Sequence, residues 1–219
     1  MNVLLDLDGT LTDPREGIVA CIKHALRGLD YAIPLDSELV RYIGPPLQEI
    51  FASLLGPDGQ SQIDTAVTLF RERFSAKGIF ENSVYPGVRT ALTQLQSLGA
   101  SLYLASSKPQ VFAERILHHF DLRGFFRAVY GSELDGTRSD KRDLIAYVLE
   151  RESISPSSAY MVGDRAYDIV GARVNAVFPI GALWGYGPRE ELISAGASVL
   201  CEQPHTLAGI LLSNERCSR

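Results

Sequence analysis

Cysteine is scarce in this chain: only Cys21, Cys201 and Cys217 occur in 219 residues. They are odd in number, far apart and without metal-ligand spacing. That argues against a disulfide framework or a cysteine metal centre, and reads as a reduced, cytoplasmic protein. Positive charge is also in short supply. The formal net charge is −5, with Lys and Arg scattered rather than gathered in a stripe, which argues against nucleic acid as the main partner. No apolar segment approaches the ~18 residues of a membrane span. No secretory leader is read at the start, because Asp6 and Asp8 interrupt the apolar stretch there. Internal repeats and low-complexity tracts are absent as well. What the chain does have is 46% hydrophobic residues, ample for a sizeable core. Its length suits one large domain, or one domain carrying an insertion.

Val3–Leu7 is short, apolar and bounded by Gly9-Thr10, so it reads as a buried strand. From about Pro14 to Ser83 the spacing is helical throughout. Ile18, Ile22, Ala25, Leu26 and Leu29 form one stripe. Ile63, Val67, Phe70 and Phe74 form another, with Gly78 as a stop. Ile43-Gly44-Pro45-Pro46-Leu47 reads as a turn between shorter helices. After Val84-Tyr85-Pro86-Gly87-Val88 the style changes. Strands are expected at Ser101–Ala105, Ala128–Tyr130, Ala159–Val162 and Ala176–Ile180, and helices starting near Val88, Pro109, Asp140 and Tyr167. Such alternation implies parallel βαβ units. The first strand joins that sheet, and the helical block becomes an insertion. The expected organisation is a Rossmann-like α/β core over residues 1–13 and 84–219, with an all-α insertion over 14–83.

Two pairs of carboxylates stand out. Asp6 and Asp8 close Val3-Leu4-Leu5-Asp6-Leu7-Asp8-Gly9-Thr10. Asp164 and Asp168 lie in Val162-Gly163-Asp164-Arg165-Ala166-Tyr167-Asp168. Each pair follows a buried-strand pattern, and residues past the carboxyl ends of parallel strands share one crevice. So many carboxylates in one place repel unless a cation sits among them, and Mg²⁺ handling a phosphate is the natural reading. In an extended chain positions i and i+2 point the same way. One of Asp6 and Asp8 can then attack phosphorus while the other moves protons. An Asp-Gly surface turn is the bland alternative. If a helix starts just after Gly163, Asp164 and Asp168 share a face toward the cation. Otherwise Asp164 is a helix cap and Asp168 is solvated.

Lys141 follows Ser139-Asp140, a good N-cap, so it occupies a first helical turn that the helix dipole makes unfavourable for a cation. It can neutralise a nucleophilic carboxylate and a phosphate oxygen, or be a solvated lysine with Arg142 as competitor. Ser106 ends a strand before Pro109 and can hold a phosphate oxygen or cap a helix; Ser107 and Lys108 are close enough to compete. His118-His119 diverge on a helix and make a poor metal pair. Trp184 in Leu183-Trp184-Gly185-Tyr186-Gly187 lines a site or simply packs. Arg15, Lys23, Arg41 and Gln48 are insertion residues able to reach a substrate.

In order, Asp6-Leu7-Asp8-Gly9-Thr10, Ser106, Lys141 and Gly163-Asp164-Arg165-Ala166-Tyr167-Asp168 resemble the haloacid-dehalogenase superfamily of phosphohydrolases. The resemblance implies that Asp6 is the nucleophile and Asp8 the general acid/base, with Ser106 and Lys141 on the transferring phosphoryl group. It also implies Mg²⁺ held by Asp6, the Asp8 backbone carbonyl and Asp164, with Asp168 close by, and a helical cap made by the insertion. Tyr42-Ile43-Gly44-Pro45-Pro46-Leu47, Tyr85-Pro86-Gly87-Val88 and Ile180-Gly181 leading to Trp184-Gly185-Tyr186-Gly187 are similar to the phosphoglycolate-phosphatase group and its nucleotidase-like relatives. Arg142 stands where family members often carry proline. Asp8 argues against carbon–halogen cleavage, since dehalogenases lack it.

The expectation is a Mg²⁺-dependent phosphatase acting on a small phosphate monoester, phosphoglycolate or a nucleoside 5′-monophosphate. Substrate contacts are expected from Thr10, Ser107, Arg41 and Gly44. A sugar-phosphate phosphomutase and a non-catalytic phosphate-binding regulator are the alternatives. No membrane or nucleic-acid partner is expected, and monomer and homodimer both remain open.

Overall fold

The computed structural model describes residues 1–217, with side chains through Asn214. Its strands are β1 (Asn2–Leu5), β2 (Thr12–Asp13), β3 (Ser83–Val84), β4 (Ser101–Pro109), β5 (Ala128–Ser132), β6 (Ala159–Gly163), β7 (Phe178–Ala182) and β8 (Val199–Cys201). Its α-helices are α1 (Arg15–Gly28), α2 (Asp36–Leu39), α3 (Leu47–Leu55), α4 (Ile63–Arg73), α5 (Val88–Ser97), α6 (Gln110–His119), α7 (Lys141–Arg151), α8 (Ala166–Val174), α9 (Arg189–Ala195) and α10 (Leu207–Cys217). The chain divides into two compact units: Met1–Thr12 with the residues from Val84 onward, and Asp13–Ser83. β2 and β3, where the chain passes between the units, form a separate two-stranded sheet.

The first unit is an α/β sandwich. Six strands form one sheet in the order β5-β4-β1-β6-β7-β8, and every neighbouring pair is parallel. Strands buried on both faces need continuous apolar sequence, which explains why Val3, Leu4 and Leu5 are all buried and β6 is buried throughout. Leu4, Tyr103 and Met161 of the sheet pack with Leu144, Ile145 and Val148 of α7 in one core cluster. After β5 the chain recrosses to lay β6 on the other side of β1. The carboxyl ends of β4, β1 and β6 therefore flank a point where strand order reverses, the place where open α/β sheets bind ligands.

Two expected strands shift. The ladder of β1 stops at Leu5 rather than Leu7. Asp6 N–H still donates to the Val162 carbonyl at 3.0 Å, and then the Leu7 carbonyl collects the N–H groups of Thr10, Leu11 and Thr12. Leu7 is buried inside this loop, so its apolar character reports burial and not pairing. The strand expected at Ala176–Ile180 begins instead at Phe178. Ala176 has φ 54° and the Val177 N–H turns back to the Ala172 carbonyl, which closes α8. β4 also runs past Ala105 to Pro109, with its register against β5 breaking between those residues.

The second unit is helical. The α1 stripe of Ile18, Ile22, Ala25 and Leu26 is buried, and Leu29 half-buried. Phe70 meets Phe51 edge-on at 6.3 Å and stacks on Phe74 at 5.6 Å. α4 runs into a π-helical turn over Phe74–Gly78. Arg73, at the junction, grips Glu81 with both amino groups at 2.7 and 3.0 Å and touches Cys21 Sγ at 3.3 Å. Cys21 and Cys201 are buried and not joined in a disulfide; Cys217 has a side chain outside the described ones. No helix among the described residues is long and apolar enough to cross a membrane.

Candidate active site

Asp6, the first residue past β1, meets a cation from a distant helix. Lys141 Nζ lies 2.8 Å from Asp6 Oδ1 and 2.5 Å from Asp168 Oδ1. The same ammonium donates to the Ala105 carbonyl at 2.7 Å. Lys141 is the first residue of α7 and only 4% exposed. Its neighbour Arg142 turns back onto Asp140 and stays at the surface. The dipole mismatch of a first-turn lysine is thus offset by two buried carboxylates.

Asp164 completes the group. One carboxylate oxygen from each of Asp6, Asp164 and Asp168 fits within a 4.8 Å cluster, and all three residues are buried. They come together differently from the shared helix face expected above. α8 begins at Ala166, so Asp164 precedes it. Asp168 is the residue that caps: its Oδ2 accepts the Arg165 N–H at 3.2 Å while Oδ1 faces Lys141. Glu191 of α9 braces this start by accepting from Arg165 Nε at 2.9 Å and Ala166 N–H at 2.8 Å.

Asp8 does not share Lys141 with Asp6. Its Oδ2 pairs with Lys108 Nζ at 2.7 Å, and the side chains are 13% and 8% exposed. Asp8 Oδ1 is buried without a hydrogen-bond partner. Ser106, buried at the register break of β4, accepts the Lys108 N–H at 3.4 Å. The Ser107 carbonyl accepts from Ser132 Oγ at 2.9 Å.

A second layer holds Asp164. Thr10, fully buried, donates its hydroxyl to Asp164 Oδ1 at 3.1 Å, and the Tyr186 N–H donates to Oδ2 at 2.9 Å. Thr10, expected against substrate, here spends its hydroxyl on a carboxylate. The Trp184 indole donates to the Thr10 carbonyl at 2.8 Å, so Trp184 fastens this loop. Gly9 (φ 84°) and Gly185 leave the space that Asp164 fills. A Cβ on either would stand 2.2 and 2.5 Å from Asp164 Oδ2, below any tolerable contact. Tyr186 acts through its backbone and was given no role of its own; Lys108, weighed from sequence only as a competitor of Ser106, acts through a partner far away in sequence. The alternating glycines at 185 and 187 were the available signal.

Burial pushes the Asp164 carboxyl well above the usual range, helped by Asp168 and Asp6. Burial also lifts Asp168, to about 6, against the pull of Lys141 and with the push of Asp6. Burial raises Asp8 too, opposed by Lys108 and aided by Asp6. For Lys141, burial pulls downward, but Asp168 and Asp6 outweigh it and hold the ammonium protonated. Fully ionised, the four carboxylates would outnumber the two ammoniums that face them by two charges in a buried site. Asp6 Oδ1 and Asp168 Oδ1 have ion pairs but no well-aligned hydrogen bond. Clustered hard oxygen ligands with that deficit suit a divalent cation.

The insertion candidates lie in the second unit. Arg15 and Lys23 line a cleft of about 430 Å³ there, along with Asp13, Glu16 and Asp36, and Lys23 is paired with Asp36. Arg41 is exposed, bonds Tyr42 Oη at 3.0 Å and lies over its ring. Gly44 takes a left-handed φ of 116° in the expected turn. His118 is paired with Glu114 at the surface.

Comparison with known proteins agrees with this geometry. Residues 3–181 match the family model described as haloacid dehalogenase-like hydrolase. A protein of Pseudomonas aeruginosa named 5′-nucleotidase is 42% identical over 97% of this chain and 96% of its own. The tyrosine-protein kinase PtkA of Mycobacterium tuberculosis is 33% identical over 90% of this chain and 67% of its own. The crystal structure of a predicted phosphatase from Clostridium acetobutylicum superposes with a TM-score of 0.92 at 41% identity, covering 97% of this chain and 98% of that one. The chain belongs to the haloacid dehalogenase-like hydrolase family, as one of its phosphatases.

Proposed function

We propose that this protein hydrolyses a small phosphate monoester with Mg²⁺, through a phosphoryl group carried on Asp6, and that nucleoside 5′-monophosphates are its substrate class. The observation that carries this reading is Asp6 held against Lys141 beside Asp164 and Asp168, while Asp8 stands apart on its own cation. A nucleophile needs a neutralising partner to approach a phosphate dianion, and a proton carrier must be free of that partner.

Asp6 attacks phosphorus as the bond to the ester oxygen breaks, and Asp8 gives that oxygen a proton. Asp8 then takes a proton from water, whose oxygen attacks phosphorus and frees Asp6. Lys141 and Ser106 steady the phosphoryl oxygens through both steps. Asp6, Asp164, Asp168 and the Asp8 carbonyl would hold Mg²⁺, which when bound supplies positive charge to the phosphoryl oxygens. Selectivity is assigned to insertion side chains, Arg41 and the Gly44 turn among them. The 5′-nucleotidase relative supports the nucleoside class, and the resemblance to phosphoglycolate phosphatases keeps phosphoglycolate as the competitor.

The test is phosphate release from a panel of nucleoside monophosphates, phosphoglycolate and sugar phosphates, with and without Mg²⁺, beside Asp6→Asn. Mg²⁺-dependent release, reduced at least about 1,000-fold by the substitution, is expected. Full activity in Asp6→Asn would sink the nucleophile assignment. Isomerised sugar phosphate in place of free phosphate would favour the mutase, and tight binding without turnover the regulator.

A further inference from the structure

Lys108 has no role in the mechanism above, yet its side chain is 8% exposed and its Nζ lies 2.7 Å from Asp8 Oδ2. Three features hold it there. β4 breaks register between Ala105 and Pro109 before rejoining β5 at Ser132. The Ser132 hydroxyl ties down the Ser107 carbonyl at 2.9 Å. Gly131 lets the chain pass so near that a Cβ there would stand 2.5 Å from the Lys108 carbonyl. The end of β4 is thus built to return the Lys108 ammonium toward the loop after β1.

The consequence for Asp8 is asymmetric. Oδ2 is held by the ammonium, while Oδ1 is buried without a hydrogen-bond partner. An unpartnered oxygen on a buried carboxylate is costly unless another group is meant to meet it.

We propose that Lys108 is the positioning residue of the proton-transfer step: it clamps Asp8 through Oδ2, so that Oδ1 is the atom that exchanges the proton with the leaving oxygen. When the Asp8 O–H bond breaks and the leaving oxygen gains the proton, the new charge on Asp8 forms beside a cation already in place. In the second half-reaction Oδ1 takes the proton back from the attacking water, and no other reactant is required. This inference rests on the phosphatase reading of the site.

The experiment compares two leaving groups. A nucleoside 5′-monophosphate expels an alkoxide that must be protonated. p-Nitrophenyl phosphate expels a phenolate that leaves without help. Lys108→Met is expected to lower kcat/KM, which reports the transfer of the phosphoryl group to Asp6, about 100-fold on the nucleotide, as loss of an effective general acid does, and less than about 10-fold on the aryl ester; the later release of phosphate from Asp6 is common to both esters and slows alike for each. Lys108→Arg, which keeps a cation in reach of Asp8, is expected to recover part of the nucleotide rate. In an Asp8→Asn background the Lys108→Met change should cost nothing more, since the two act as a unit. Equal loss of kcat/KM on both esters, or additive loss in the double variant, overturns the positioning role while leaving the phosphatase reading intact. Release from neither ester by the unaltered enzyme overturns both. Should Lys108→Met not fold, Lys108→Gln takes its place in the same comparison.

Discussion

Lys141 Nζ stands 2.8 Å from Asp6 Oδ1, inside a site where the lysine is 4% exposed. Among the described residues it is the one ammonium paired with both Asp6 and Asp168, and carboxylates buried without a partner are strongly destabilising. Lys141→Met is therefore expected to cost about 3–5 kcal/mol of stability, read by urea denaturation without divalent cation, and to abolish phosphate release. A stability loss below about 1 kcal/mol would mean that the pair contributes little in solution.

Gly185 is fixed by the backbone and not by a flexible neighbour. A Cβ there would stand 2.3 Å from Asp164 Cβ and 2.4 Å from the Gly9 carbonyl. Gly185→Ala must therefore displace Asp164 or the loop after β1, at a cost of about 1–3 kcal/mol. Thermal melting should show the loss, and phosphate release should fall with it, because Asp164 is a candidate cation ligand. An unchanged melt with full activity would show that the Trp184–Gly187 segment can move aside freely.

Legibility in the sequence followed the physics of each signal. Asp6 and Asp8 were readable because two acids directly after an apolar run contradict a simple core strand. Lys141 was readable because a cation in a first helical turn opposes the dipole. Lys108 was only one of several polar residues after a strand, since its partner Asp8 is brought near by the β4–β1 pairing. The Tyr186 N–H has no residue signature at all: any residue there carries the same donor. β8 spans only Val199–Cys201 at the sheet edge, too short for a pattern to emerge. The separation of a helical segment near 14–83 was visible because helical spacing gives way to strand–helix alternation at Val84.

The charge deficit around Asp6, Asp164 and Asp168 leads to a cation-dependent stability. A ligand that binds only the folded state adds about 2.7 kcal/mol at one hundred times its Kd. Millimolar Mg²⁺ is expected to raise the melting temperature of the unaltered protein by several degrees, and EDTA to reverse it. Asp164→Asn should remove most of that rise while the protein still melts cooperatively. A melting temperature indifferent to Mg²⁺, Mn²⁺ and EDTA would refute the cation site itself, independently of any activity.

The Arg73–Glu81 pair in the second unit gives a prediction with a definite sign in pH. The two hydrogen bonds from Arg73 hold the Glu81 carboxyl below its usual value, against burial and with help from Lys77. A depressed folded-state pKa means that the unfolded chain binds the proton first as pH falls. The stabilisation is therefore complete above the ordinary glutamate value of 4.5 and fades as pH drops below it through the folded-state value. Glu81→Gln is expected to cost about 1–3 kcal/mol at pH 7, measured by urea denaturation, with the difference from the unaltered protein shrinking toward pH 3. A gap that stays constant or widens on acidification would show that Glu81 stabilises the helical unit through packing and not through its charge.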